Sequence, residues 1–278
     1  VLVGALLWAL APPFPGPRET RSRGRRRVGQ PALQKTVWAA VLTGLLGPQP
    51  ACVGQLPLGE LGHAVAFETG KAAVEDVQQH GLVQTIVAKV VEGRLDVGTR
   101  VKAALSRAHR HDVAANHAAT HLLHYALRTR LGNEVTQAGS SVRADRFRFD
   151  FSYHQPLGSE GLMEIEELVN KRIVEDHPVR AFTTTLDHAR DLGAMALFGE
   201  KYDDFVRVVE IDDFSRELCG GTHVSSTSEL GIFKILSESS VGASVRRIEA
   251  ITGPAAVAYY QERDRLVTSA GQMLGASA

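Results

Sequence analysis

Two short motifs in this sequence each place a pair of metal-binding side chains four residues apart, and this spacing constrains the chain more than any other feature. The first motif contains His117 and His121, and the second contains Cys219 and His223 on either side of a Gly-Gly pair. Positions i and i+4 lie on one face of a helix, so the two imidazoles of the first motif can converge on one ion. The glycine pair lets the backbone of the second motif turn sharply, so that its thiolate and imidazole can meet.

Together the two motifs offer the nitrogen and sulfur ligands that zinc prefers. A histidine pair alone is a weak signal, because most histidines on a helix face simply contact water. The combination favours one Zn²⁺ per chain, held by His117, His121, Cys219 and His223. Four protein ligands would close the coordination sphere, which is typical of structural zinc sites. Two possibilities therefore stay open: His223 is a weak ligand, or the ion positions the substrate while a neighbouring side chain orients water.

The motifs and their surroundings resemble the editing domain of alanyl-tRNA synthetases and the free-standing alanyl-tRNA editing proteins related to it. Threonyl-tRNA synthetases carry a related domain, but the Cys-Gly-Gly-Thr-His motif and the run Arg-Arg-Ile-Glu-Ala at 246–250 are alanyl in character. The resemblance follows the family's order through six segments, which are residues 116–124, 137–140, 147–152, 196–202, 217–223 and 246–250.

This resemblance implies a zinc-dependent ester hydrolase that acts on tRNA(Ala) mischarged with serine or glycine. An apolar pocket built for alanine rejects such near-isosteres by only about 1–3 kcal/mol, so a second, hydrolytic site is needed. Thr120, Gln137 and Cys219 are implied as catalytic residues: Thr120 would read the serine hydroxyl, and Gln137 would contact substrate or water. Arg246 and Arg247 are implied as tRNA contacts.

Each of these residues also has an ordinary structural interpretation. Thr120 could be a helix threonine that bonds back to a backbone carbonyl. Gln137 could be a surface amide, and Arg246 could belong to a surface ion pair. His124, three residues after His121, is more typical of a helix-surface or core histidine than of a fifth ligand.

The charge balance limits where tRNA can bind. With 31 basic and 31 acidic residues the net charge is zero, so any attraction to RNA must come from local patches. The two cysteines are far apart, which argues against a disulfide framework and for a reducing cytoplasm. We expect neither DNA nor a membrane as a partner. Three basic patches are candidates for tRNA contact: Arg107 with His109, Arg110 and His111; Arg143 with Arg146 and Arg148; and Arg246 with Arg247.

The predicted fold class is α+β, because helices and strands occur without strict alternation. Residues 1–50 read as a disordered or non-native leader, and the absence of an initial Met suggests a fragment. Residues 51–108 correspond in the family to a small β-barrel on the N-terminal side of the editing domain. Its glycine-rich segment is reduced to 53–55, so we predict a partial, degenerate barrel. Residues 109–253 form the predicted zinc-dependent editing domain, and residues 254–278 the C-terminal helix.

Local patterns predict the elements of this arrangement. One helix should start at an Asp112 cap and end before Gly132, a second should start at Ser159, and a third at Pro254. Strands are predicted at 82–91, 95–101, 147–153, 180–186, 205–211, 231–238 and 245–251.

Two other functions compete with hydrolysis of mischarged tRNA. A zinc peptidase on a two-histidine helix usually has a glutamate directly after the first histidine, where this chain has Ala118. A non-catalytic, zinc-stabilised tRNA-binding module is the stronger alternative, although the presence of Thr120 and Gln137 weighs against it. No segment resembles an aminoacylation core, so we do not expect this chain to charge tRNA.

Overall fold

The computed structural model describes residues 40–42, 64–67, 70–80, 83–96, 99, 101–104, 106–196 and 202–275. These residues belong to two compact units, with the boundary between Ser106 and Arg107. Of the predicted leader, only Ala40–Leu42 is described, so that prediction stays open. Within the described ranges, no helix is both long enough and apolar enough to cross a membrane.

The first unit is a five-stranded antiparallel sheet in the order β1-β4-β3-β2-β5. No pairing among its described residues joins β1 to β5, so the sheet is not closed and the predicted partial barrel is not confirmed. Ala72, Val74 and Val101 are buried in its small core. The strands are β1 Ala40–Leu42, β2 Ala64–Phe67, β3 Gly70–His80, β4 Val83–Glu92 and β5 Val101–Ala104.

The strand predicted at 95–101 is wrong for the described residues Leu95, Asp96 and Thr99, which are not in a strand. Gly93 has a φ of 76°, which ends β4, and the Thr99 amide donates to the carbonyl of Asp96 at 3.1 Å. The Asp96 carboxylate also accepts from Arg94 Nε at 2.8 Å. These bonds engage both the carbonyl and the side chain of Asp96, and β5 is described from Val101 to Ala104.

The second unit combines helices with two antiparallel sheets, in the orders β11-β12-β7-β6 and β10-β9-β8. The predicted α+β character is therefore confirmed. Its elements are α1 Arg107–Leu131, β6 Gln137–Val142, β7 Phe147–Ser152, α2 Gly158–Val174, β8 Val179–Thr185, α3 Leu186–Asp191, β9 Phe205–Ile211, β10 Ser215–Leu218, a 3₁₀ turn at Thr227–Leu230, β11 Phe233–Gly242, β12 Val245–Thr252 and α4 Gly253–Met273.

Helix α1 starts five residues before the predicted Asp112 cap. Ser106, a residue type favoured at N-caps, directly precedes the helix, and the alanine and arginines that follow it are good helix formers. The predicted end is confirmed: Gly132 has a φ of 117° and donates to the carbonyl of Arg128 at 3.0 Å. Such a conformation is accessible to glycine and terminates a helix.

The core of this unit forms where α1 packs against the four-stranded sheet. Phe147, Phe149 and Phe151 alternate along β7 and are at most 1% exposed, as are Leu122 and Leu123 on the facing helix. Truncating one such phenylalanine to alanine typically costs about 3–5 kcal/mol. This packing fixes the helix that carries the first motif.

Asn116 secures α1 at the turn that precedes the first motif. Its buried amide donates to the carbonyls of Arg143 and Ala144 at 2.8 and 3.0 Å, in the β6–β7 connection. Its oxygen accepts from Thr252 Oγ1 at 2.8 Å. These bonds favour one position of α1 relative to the sheet, because a shift that breaks any of them leaves a buried polar group unpaired.

Candidate metal centre

The structure brings the four predicted ligands together. The ligand atoms of His117, His121, Cys219 and His223 all lie within 4.8 Å of one another. Nε2 of His121 is 3.0 Å from Nε2 of His223, and Cys219 Sγ is 3.5 Å from Nε2 of His117 and 3.6 Å from Nε2 of His223. Three imidazole nitrogens and one sulfur that point at a common centre form a group able to hold a metal ion.

Gly221 is required here by a close approach. A Cβ at this position would lie 1.9 Å from Cε1 and 2.3 Å from Nδ1 of the His117 ring. The sequence argument assigned the glycines to a sharp turn, but Gly220 and Gly221 are not among the described glycines with positive φ. The missing side chain instead leaves room for an imidazole against the backbone.

A buried carboxylate that the sequence analysis did not single out supports the cluster. Glu217 is 4% exposed, and its two oxygens lie 2.8 Å from Nδ1 of His121 and 3.0 Å from Nδ1 of His124. His124 also approaches the carbonyl of Val135, at 3.3 Å, so it is a core histidine. A carboxylate behind a metal-binding histidine fixes its tautomer and its ring orientation. No sequence signal pointed to Glu217, because its role depends on β10 lying next to α1 in the fold.

Arg207 holds the second motif in place and was also missed. Its Nη1 donates to the carbonyls of Cys219 and Gly221 at 3.0 and 2.6 Å. The amide of Cys219 donates to the carbonyl of Arg207 at 3.0 Å. The loop of the second motif is thereby attached to β9 by both the backbone and the side chain of one residue.

The side chains of the cluster have pKa values that are shifted in different directions. Burial would raise the pKa of the Cys219 thiol, but hydrogen bonds from the three histidines hold this pKa far below its usual range. Burial opposes a charge on His121, yet the Glu217 carboxylate and the Cys219 sulfur outweigh burial and raise the pKa of His121 to about 10. Burial, reinforced by the nearby imidazoles, lowers the pKa of His223 to about 4.

These pKa values describe an anionic pocket that attracts positive charge. Cys219 is a thiolate and Glu217 a carboxylate, because burial of Glu217 is outweighed by His121, which holds the pKa of Glu217 well below its usual range. The proton on His121 compensates part of this negative charge. A divalent cation would replace that proton and satisfy all four ligand atoms, so the residues present fit a metal.

Thr120 and Gln137 have local hydrogen-bond partners. Thr120 is 4% exposed, and its hydroxyl donates to the carbonyl of His117 at 2.7 Å. Gln137 lies at the start of β6, where its Nε2 donates to Ser140 Oγ at 3.1 Å. Thr120 therefore lies in the helical turn between two ligands, and Gln137 lies on the sheet edge beside α1.

Arg246 and Arg247 are both ion-paired on β12. Arg246 Nε is 2.7 Å from Glu238 Oε1, and both side chains are mostly buried. Arg247 makes a two-pronged pair with Asp150, at 2.7 and 2.8 Å. Their assignment as tRNA contacts stays a prediction.

The fold and the four-residue group define a mixed α/β domain with a buried histidine–cysteine centre, and sequence comparison places this domain in a family. Residues 206–249, from β9 to within β12, match the threonyl and alanyl tRNA synthetase second additional domain. The matched segment belongs to this family, and the chain contains a domain of the alanyl-tRNA synthetase editing type.

Curated relatives agree with this assignment. The chain is 51% identical to the alanine–tRNA ligase of Rubrobacter xylanophilus over 195 residues, which are 70% of this chain and 22% of that ligase. It is 49% identical to that of Geobacillus kaustophilus over 211 residues, 76% of this chain and 24% of the ligase. It is 46% identical to the alanine–tRNA ligase of Shewanella loihica over 201 residues, which are 72% of this chain and 23% of that ligase. The chain thus spans under a quarter of the length of these relatives.

Proposed function

We propose that this chain hydrolyses the ester of tRNA(Ala) mischarged with serine or glycine, with Zn²⁺ bound by His117, His121, Cys219 and His223. The convergence of these four ligand atoms within 4.8 Å carries the proposal. Membership of a tRNA synthetase domain family supports tRNA as the substrate class. A zinc ion bound there would supply a Lewis acid beside the ester carbonyl.

His223 is the ligand that we assign as weak. Glu217 anchors the second ring nitrogen of His121, whereas the Nδ1 atoms of His117 and His223 have no hydrogen-bond partner among the described residues. Of these two, His223 borders an open groove on the surface of the unit. A ligand whose other ring nitrogen has no hydrogen-bond partner, and which borders an open groove, is the one most readily displaced, and its displacement would open a position for substrate.

Thr120 would recognise the serine side chain as a hydrogen-bond acceptor. Its hydroxyl hydrogen is already donated to the carbonyl of His117, so only the lone pairs of Oγ1 remain available. The serine hydroxyl would then be the donor. Gln137 is proposed to contact substrate or water, after its amide releases Ser140.

The test is the rate of deacylation of seryl-tRNA(Ala) compared with correctly charged alanyl-tRNA(Ala), using the purified chain. We expect faster release of serine than of alanine. The alternative function, a non-catalytic zinc-stabilised tRNA-binding module, is favoured by the back-bonded hydroxyl of Thr120. It predicts that tRNA binds with no release of either amino acid above the uncatalysed rate, and that result would refute hydrolysis.

A further inference from the structure

The three basic patches of the sequence differ in how their charges are compensated. In the patch formed by Arg143, Arg146 and Arg148, Arg146 Nε lies 2.9 Å from Asp145 and Arg148 Nε lies 3.8 Å from Asp150. A carboxylate beside a guanidinium cancels most of its field at the distance of a bound polyanion. Arg143 has no ion pair among the described residues, so this patch offers at most one uncompensated guanidinium, together with Arg148, which shares Asp150 with Arg247.

The patch on β12 is compensated more completely. Glu238 faces Arg246, and Asp150 faces Arg247 through two hydrogen bonds. An RNA phosphate would have to break these pairs in a partly buried setting, which leaves a carboxylate unpaired.

The patch at the start of α1 is different, because it opens into a groove. The groove has a volume of about 460 Å³ and is lined by Arg107 and Arg110 from α1, by Arg180 from β8, and by Thr222 and His223 of the second motif. Among the described residues, no hydrogen bond or ion pair engages the side chains of these three arginines.

One carboxylate lies in the groove, and one of its oxygens is already hydrogen-bonded. Glu229 Oε1 accepts from both the amide and the hydroxyl of Ser225, at 3.0 and 2.7 Å, and Glu229 Oε2 lies 3.8 Å from His111 Nδ1. Three unpaired guanidinium groups thus face one carboxylate, which leaves the groove with an excess of positive charge. The first turn of α1 contains no acidic residue, so the positive end of the helix dipole adds to this field.

We propose that this groove binds the phosphodiester backbone of the single-stranded 3′ end of tRNA, with Arg107, Arg110 and Arg180 each contacting a phosphate. The inference rests on the proposed function, since it gives the ester a path to the metal centre: the same groove is bordered by His223. Guanidinium groups suit this ligand because their planar N–H donors match two phosphate oxygens. Arg246 and Arg247 would then keep the sheet in place and contact no RNA.

The proposal makes a quantitative statement about salt. Each phosphate contact on a single strand contributes about −0.7 to the slope of log affinity against log salt. Three contacts give a slope of about −2, which is a roughly 20-fold loss of affinity between 50 and 200 mM salt. Replacing the three arginines should therefore make the slope of log affinity against log salt less negative by about 2.

The experiment measures, by fluorescence anisotropy over a salt series, the binding of an acceptor-stem hairpin that has a single-stranded 3′ end and carries no amino acid. The triple variant Arg107→Gln, Arg110→Gln and Arg180→Gln should lose this salt-dependent affinity. The matched control Arg190→Gln, Arg263→Gln and Arg265→Gln removes the same charge from exposed positions on α3 and α4, and should bind like the parent chain. Zinc content should be the same in all three proteins.

Four results would overturn the proposal. The two triple variants could lose affinity equally, which would indicate only general electrostatics. The groove variant could bind like the parent, or the parent could fail to bind the hairpin at all. A blunt hairpin without the 3′ strand should bind parent and groove variant alike, and a persistent difference would place the stem in the groove instead. Because this RNA carries no amino acid, it has no ester to hydrolyse, and these outcomes are independent of whether the chain is a hydrolase.

Discussion

Replacing Gly221 with alanine would place a methyl group inside the space of the His117 imidazole. The new Cβ would lie 1.9 Å from Cε1, 2.3 Å from Nδ1 and 3.1 Å from Nε2 of that ring. Non-bonded carbon atoms prefer separations of about 3.5–4.0 Å, so the ring or the loop must move by roughly 1.5–2 Å. A metal ligand tolerates a displacement of only about 0.2 Å, so His117 would be lost as a ligand.

The expected effect is large on metal binding and moderate on the metal-free fold. Losing a residue that hydrogen-bonds to a metal ligand typically costs about 10–100-fold in metal affinity, and losing a ligand itself should cost more. Overpacking without metal costs about 1–3 kcal/mol. Zinc affinity is measured by competition with a chromogenic chelator, and Tm is measured with and without chelator. The parent chain should lose Tm when chelator is added, whereas the Gly221→Ala chain should not respond.

Gly242→Ala is the matched control for this experiment. A Cβ there meets nothing within 4 Å, and the residue has no positive φ, so the same chemical change is made in open space. Zinc affinity should be unchanged in the control. If Gly221→Ala binds zinc as tightly as the parent, the inferred role of His117 is incorrect.

Three further predictions concern the cluster. Glu217→Gln keeps the shape of the side chain but presents an amide nitrogen to His121 or His124, so zinc affinity should fall about 10–100-fold. An unchanged zinc affinity would rule out a supporting role for Glu217. Because the pKa of His121 in the metal-free chain is about 10, zinc must displace its proton, so zinc affinity should rise about tenfold per pH unit between pH 7 and 9. Calorimetry in buffers of different ionisation enthalpy should show one proton released on zinc binding. A zinc affinity that does not change with pH would contradict the displacement of this proton. Thr120→Val should slow release of serine several-fold more than release of glycine, as measured by kcat/KM for both, and an equal decrease would assign Thr120 to the scaffold.

The longer helices and most strands of the second unit were predictable because their apolar residues repeat with clear periods, whereas β6, β10 and α3 were not predicted. The phenylalanines of β7 alternate with Arg148 and Asp150, and this pattern alone places the strand within a residue of its observed end. In contrast, β3 was missed, since its run of alanine, charged and amide residues has weak strand character. At Leu95, Asp96 and Thr99, where the predicted strand is wrong, local hydrogen bonds to Asp96 override an alternating pattern.

The candidate ligands could be read from the sequence because i,i+4 spacing has a direct geometric meaning. The supporting residues could not, since their roles depend on which strands meet. Glu217 faces His121 only because β10 packs behind α1, and Arg207 reaches the second motif from the neighbouring strand β9. The same limit applies to the basic patches: their spacing in sequence is similar, and only the fold distinguishes paired arginines from the unpaired ones beside His223.

The central claim is that a zinc ion held by these four residues is needed for hydrolysis of mischarged tRNA. The most direct measurement titrates zinc into the metal-free chain and follows release of serine from seryl-tRNA(Ala). The rate should rise linearly and level off at one zinc per chain, and Cys219→Ala should stay at the uncatalysed rate throughout. Full activity in the metal-free chain, or a zinc response that persists in Cys219→Ala, would contradict the claim.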